Sequence, residues 1–136
     1  MKKIVIVALV ALFALFNISC VDKEADSQEV KLVTAEEMKE IIELEDVQLV
    51  DVRTPKEFEE IRIQSAQNID FRSPTFDDDI QKLDKSKPVV LYCKSGRRSA
   101  KCVEKLKEAG FEKIYELDGG ISKWEHSEVL KIEKKS

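Results

Sequence analysis

The chain has 136 residues, a formal net charge of -4 and a charged fraction of 37%. An acidic balance with no basic stripe argues against nucleic acid as a partner, because phosphate neutralisation needs lysine and arginine clustered over a broad face. One histidine and three cysteines supply neither a zinc site at the usual ligand spacings nor a disulfide-built scaffold, so no metal is expected and the fold must rest on a hydrophobic core.

Met1-Lys2-Lys3 followed by the apolar run Ile4 to Phe16 reads as a signal peptide. The run falls short of the roughly 20 apolar residues that a membrane-crossing helix needs. Asn17-Ile18-Ser19-Cys20 puts a small residue directly before a cysteine and resembles the lipobox of bacterial lipoproteins, with Asn17 standing where that motif usually has leucine. The resemblance implies cleavage after residue 19 and a lipidated Cys20. That lipid would anchor the chain to a membrane on the periplasmic or surface side of the cell envelope. The other reading is an ordinary secretory signal with an incidental Cys20; under both, the domain is expected to work outside the cytoplasm. Residues 20–32, polar and without periodicity, are expected to form a flexible tether. One small domain is expected over 33–128, followed by a weakly patterned tail over 129–136.

Within the domain, Thr34 and Glu37 are spaced as a capping box, and Met38, Ile41 and Ile42 follow at helical spacing, which predicts the first helix. VQLVDV at 47–52 predicts a strand. Thr54-Pro55-Lys56-Glu57 directly after it predicts a second capped helix, with proline at its first position. AQNID at 66–70 reads as a short strand, and Phe76, Ile80 and Leu83 mark another helix before Lys87-Pro88. VVLY at 89–92 is apolar throughout, as a strand buried on both faces of a parallel sheet should be. A helix is expected from about Ser99 to Ala109, with Ser99 as its N-cap, an apolar stripe of Ala100, Val103 and Leu106, and Gly110 as its C-terminal cap. KIYEL at 113–117 is the last predicted strand, and Gly119-Gly120 a turn before a short helix over Ile121 to Trp124. Strands alternating with helices predict an α/β domain with a mainly parallel sheet and helices on both sides, its ligand beyond the carboxyl ends of the strands.

Cys93 stands at one of those ends and opens CKSGRRS, the only dense positive patch in the chain. A cysteine is a nucleophile as thiolate, and its pKa falls when it faces a helix N-terminus or cationic side chains. Gly96 lets the backbone curl so that amide N–H groups point inward as an anion-binding nest, and the following helix adds its positive end. The same arrangement would hold a persulfide, and Lys94 and Arg97 would raise the local concentration of an anionic sulfur donor. Such chemistry proceeds without a metal or organic cofactor.

With LVDVRTPKEF at 49–58, CKSGRRS at 93–99, GF at 110–111 and LDGGISKW at 117–124, the chain resembles the rhodanese sulfurtransferase family over roughly residues 34–124. The resemblance implies an α/β rhodanese fold with a five-stranded, mainly parallel sheet and helices on both sides. It implies Cys93 as the sulfur-carrying nucleophile, and Lys94, Ser95, Gly96, Arg97, Arg98 and Ser99 as the substrate-binding cradle, Arg98 being the loop's last-position cation. Asp51 and Arg53 would be structural, and Trp124 a packing residue at the pocket rim. The partners implied are a small anionic donor such as thiosulfate or polysulfide and a thiol or cyanide acceptor. Oligomeric state is left open. The chain departs from the family in having Ile61-Arg62-Ile63-Gln64-Ser65-Ala66 where Gly-His-Ile-x-Gly-Ala is common before Asn-Ile.

Two other functions compete. Cysteine phosphatases place their arginine six positions after the cysteine, whereas Arg98 is five positions on, which leaves the loop short for a phosphoryl group. A non-catalytic binding or redox-sensing module of the same fold is the main alternative, although such modules generally lose the cysteine that is present here. Cys102 reads as a buried inert thiol or as a resolving partner for Cys93. His126 has no assigned role, and Asp77-Asp78-Asp79 reads as a solvated helix start.

Overall fold

The computed structural model describes residues 27–136. The expected signal peptide, Cys20 and the first part of the expected tether lie outside the described residues. In chain order the elements are β1 (Glu29–Val33), α1 (Ala35–Leu44), β2 (Gln48–Asp51), α2 (Pro55–Glu60), β3 (Ile61–Ile63) and β4 (Gln67–Asn68). They continue with α3 (Phe76–Ile80), β5 (Val89–Tyr92), α4 (Arg97–Glu108), β6 (Lys113–Leu117), α5 (Gly120–Trp124) and β7 (Ile132–Lys134).

Five strands form one parallel sheet in the order β1-β6-β5-β2-β4. This is the α/β architecture with a five-stranded parallel sheet that the sequence predicts. β5 lies at its centre, and all four of its side chains are buried, which is why VVLY is apolar without alternation. Leu91 and Val89 face a core with Phe76, Ile80, Cys102, Val103 and Leu106. Val90 and Tyr92 face a second core with Val33, Met38, Leu117, Ile121 and Leu130. The helices therefore cover both faces, and the two apolar layers fix the sheet between them.

Both capping boxes form. Thr34 and Thr54 each accept from the backbone N–H of Glu37 and Glu57, whose carboxylates accept the threonine N–H in return. These reciprocal bonds satisfy helix-terminal donors that would otherwise be unpaired.

Three expectations change at the ends and at the loop. Residues 29–32, assigned from the sequence to the tether, form most of β1, which pairs with β6 in parallel register. Their side chains are mostly exposed, so an edge strand held by backbone hydrogen bonds carried no apolar pattern to read. The tail over 129–136 is likewise tied down: β7 pairs antiparallel with β3, and Leu130 is buried. Finally, α4 starts at Arg97 with Gly96 as its N-cap, and Ser99 sits buried inside the first turn rather than capping it.

Candidate functional site

Cys93 follows the last residue of β5 and is 1% exposed. The loop after it turns through Gly96, whose φ of +96° lies in the left-handed region that glycine adopts without strain. This turn aims the Gly96 N–H at Cys93 Sγ, 3.1 Å away. Burial pushes the thiol up. The Ser99 hydroxyl, when its proton is turned to the sulfur, and the backbone N–H groups of Ser99, Gly96 and Ser95 act in the opposite direction and prevail, leaving it below the ordinary thiol value. The N–H groups at the start of α4, which have no partner within the helix, thus form the anion-favouring end of the site.

The loop's other wall is α5. The N–H groups of Ile121 and Ser122 donate to the carbonyls of Cys93 and Lys94 at 2.9 and 3.1 Å, so the carbonyls are held away from the sulfur. Gly120 makes this approach possible: a Cβ there would lie 2.4 Å from the Lys94 carbonyl oxygen. Trp124 is half-buried at the end of α5 and donates from Nε1 to the Asp118 carbonyl at 2.7 Å.

Beneath the loop, Asp51 and Arg53 are 0% and 2% exposed. The Asp51 carboxylate accepts from the Arg53 N–H at 2.9 Å, from Nε at 3.0 and 3.1 Å and from Nη2 at 2.6 Å. Arg53 Nη2 also donates to the Ile61 carbonyl at 2.5 Å, and Asn68 Nδ2 donates to the carbonyls of Asp51 and Arg53. The pair therefore ties the carboxyl end of β2 to β4 and to β3, which lies in the segment whose sequence departs from the family pattern.

Arg98, expected as the loop's last-position cation, is paired in the structure. Its guanidinium makes two 2.7 Å hydrogen bonds to the Glu57 carboxylate, a fork geometry that both holds and neutralises it. Glu57 is aimed at Arg98 by the capping box of α2, because Thr54 bonds the same carboxylate. The Arg98 hydrogen bonds, the largest cause, and those of Thr54 outweigh the upward push of desolvation and leave the Glu57 carboxyl lowered to about 2. Lys94 and Arg97 remain exposed, and among the described residues neither has an ion-pair partner.

The depressed Glu57 pKa means that the pair stabilises the fold fully above about pH 4.5 and loses that contribution as pH falls through about 2. In Arg98→Ala the Glu57 carboxyl is expected to rise by about one unit or more, read by side-chain NMR titration. A titration that stays near the wild-type midpoint would mean that the fork does not hold Glu57.

Cys102 is buried on α4, and desolvation followed by the charge of Glu116 pushes its thiol up to about 12. Cys93 and Cys102 are both free thiols in the structure. His126 is exposed beside Glu125, and Asp77 and Asp79 pair with Lys105 and Lys82. No cluster of three metal-ligating side chains occurs among the described residues.

The sequence reading left out two partners of the site, Glu57 as the ligand of Arg98 and Glu116 as the acceptor for Ser99. A signal existed for the second. Glu116 shares a strand face with buried Ile114, and a carboxylate on the helix-covered side of a sheet calls for a partner.

A model of the rhodanese-like domain matches residues 34–127. Over 85 residues the chain is 33% identical to the thiosulfate sulfurtransferase GlpE of Coxiella burnetii, covering 62% of this chain and 78% of that protein. Over 76 residues it is 40% identical to the probable adenylyltransferase/sulfurtransferase MoeZ of Mycobacterium tuberculosis. That match covers 56% of this chain and only 19% of the longer protein. The crystal structure of a rhodanese-like domain protein from Staphylococcus aureus aligns with a TM-score of 0.64 at 34% identity, covering 78% of this chain and 99% of that one.

Proposed function

The chain belongs to the rhodanese-like domain family, and on that footing we propose that it is a sulfurtransferase whose Cys93 cycles between thiolate and persulfide. The observation that carries this reading is the lowered Cys93 thiol, facing the Gly96 N–H at 3.1 Å at the start of α4. In the first step the Cys93 thiolate attacks the outer sulfur of an anionic donor. The donor's S–S bond breaks, and for thiosulfate the leaving group is sulfite with the electron pair. In the second step a thiolate or cyanide attacks the terminal sulfur and Cys93 leaves as thiolate. Neither displacement uses a metal or an organic cofactor.

Because Glu57 neutralises Arg98, donor attraction falls to Lys94, Arg97 and the loop amides. The near-complete burial of Cys93 favours a compact donor, and thiosulfate, named in the GlpE relative, is the one proposed. The test is the intact mass of the reduced chain before and after thiosulfate. One added sulfur atom, removed by cyanide or a thiol, supports the reading. No gain with thiosulfate or polysulfide would replace it with a binding or redox-sensing module.

We also propose export and anchoring through lipidated Cys20, from the run Ile4 to Phe16 and the cysteine behind Ser19. Cells labelled with a radioactive lipid precursor are expected to label the chain, and Cys20→Ala is expected to lose that label. Equal labelling of both would refute the anchor.

A further inference from the structure

Ser99 is fully buried, and its hydroxyl has one proton for three neighbours. Glu116 Oε1 lies 2.6 Å from Ser99 Oγ, the Gly96 carbonyl 3.2 Å and Cys93 Sγ 3.4 Å. The shortest of these has the length of a hydroxyl bonded to a carboxylate. We propose that Glu116 is a positioning residue for Cys93: its carboxylate accepts the hydrogen bond of the Ser99 hydroxyl and so directs that proton away from the reacting sulfur.

The consequence follows from counting protons. With Glu116 ionised, Ser99 donates to the carboxylate and turns an oxygen lone pair toward Sγ, which suits a thiol S–H and disfavours a thiolate. With Glu116 protonated, its O–H donates to Ser99 Oγ, and the hydroxyl turns its own proton to Sγ, where it stabilises the anion. No bond to sulfur is made or broken in this exchange; one proton enters at Glu116 from solvent and the hydroxyl reorients. The amides of Ser95, Gly96 and Ser99 act on Sγ in both arrangements. Once a persulfide forms, its charge moves one atom outward from Sγ, away from Ser99, so an ionised Glu116 favours the loaded cysteine over the free thiolate.

The surroundings of Glu116 support this role. Burial first, and then the charge of Asp118, push its carboxyl above the usual range, with the Ser99 hydrogen bond opposing them. On α4 it faces Ser99 and Cys102, and Lys105 acts on Cys102 from the same helix. Its register partners are apolar, Leu32 on β1 and Leu91 on β5.

This inference rests on Cys93 as the reacting atom, and its test reads ionisation rather than sulfur transfer. The full chain, fully reduced, is alkylated with iodoacetamide across pH, and modification of the Cys93 peptide is resolved by mass spectrometry from Cys20 and Cys102. Glu116→Gln is expected to lower the Cys93 midpoint by about half a unit, roughly a threefold gain in thiolate below the midpoint. Glu116→Asp, which draws the carboxylate back from Ser99, is expected to move it the same way. In a Ser99→Ala background the shift from Glu116→Gln should shrink to less than half. An unmoved or raised midpoint in both Glu116 variants, or an undiminished shift without the Ser99 hydroxyl, would overturn the proposal. If Cys93 shows the Glu116-dependent midpoint yet takes up no sulfur, the sulfurtransferase reading fails and this one stands. Uptake of sulfur with an unmoved midpoint does the reverse.

Discussion

Cys93→Ser is expected to abolish sulfur loading and to cut transfer from thiosulfate to cyanide by roughly a thousandfold or more, the scale on which loss of a nucleophile is felt. A serine hydroxyl stays protonated near neutral pH and forms no persulfide. The substitution exchanges one atom for a smaller one at a site already lined by hydrogen-bond donors, so the fold should survive. Cys93 accepts the Gly96 N–H and contacts the Ser99 hydroxyl, and a serine oxygen can keep both. Intact mass with and without thiosulfate, a transfer assay and a circular dichroism melt together read the result. Transfer near the wild-type rate in a folded Cys93→Ser variant would remove Cys93 from the mechanism. Loss of transfer together with loss of the melt would shift the explanation to folding, and Cys93→Ala would then separate the two.

Arg53→Ala is expected to have the largest effect on stability. It would strand the Asp51 carboxylate, 0% exposed, without the guanidinium that supplies its side-chain hydrogen bonds, and it would release the Ile61 carbonyl. Removing one member of a buried ion pair costs about 3–5 kcal/mol, a large part of the roughly 5–15 kcal/mol that holds a domain folded. The urea midpoint should fall by more than about 1 M, given a slope of about 1–3 kcal/mol per molar for a small protein. The double change Asp51→Leu with Arg53→Met should recover part of the loss, because it removes the stranded charge. A midpoint within about 0.3 M of wild type in Arg53→Ala would show that the pair does not hold the β2 end. An Arg53→Ala loss left unrelieved by the double change would place the cost in the Ile61 contact or in packing against Tyr92.

The elements with local signals were legible in the chain. VVLY coincides with β5 because burial on both faces leaves an unbroken apolar run, and KIYEL coincides with β6, whose Ile114, Tyr115 and Leu117 are buried. The two capping boxes marked α1 and α2, since each is closed within four residues of sequence. Cys93 and its loop were legible for the same reason: a cysteine, a glycine and a helix start are contiguous, and their chemistry needs little beyond the local turn. Edge strand β1 and terminal strand β7 were not, because their order comes from backbone pairing with β6 and β3, to which side-chain pattern contributes little.

What only tertiary structure decided is how charge is distributed around the sulfur. From the sequence, Arg98 and Ser99 are a loop cation and a helix cap. Folding carries Glu57 to the first across 41 positions and Glu116 to the second across 17. Periodicity and capping are properties of neighbours along the chain, whereas a carboxylate's partner is whichever donor packing brings within about 3 Å of it. The sequence alone therefore determined the cysteine loop and the buried strand that presents it, and the packing of α2 and β6 against the loop decided which of its charges and protons remain free.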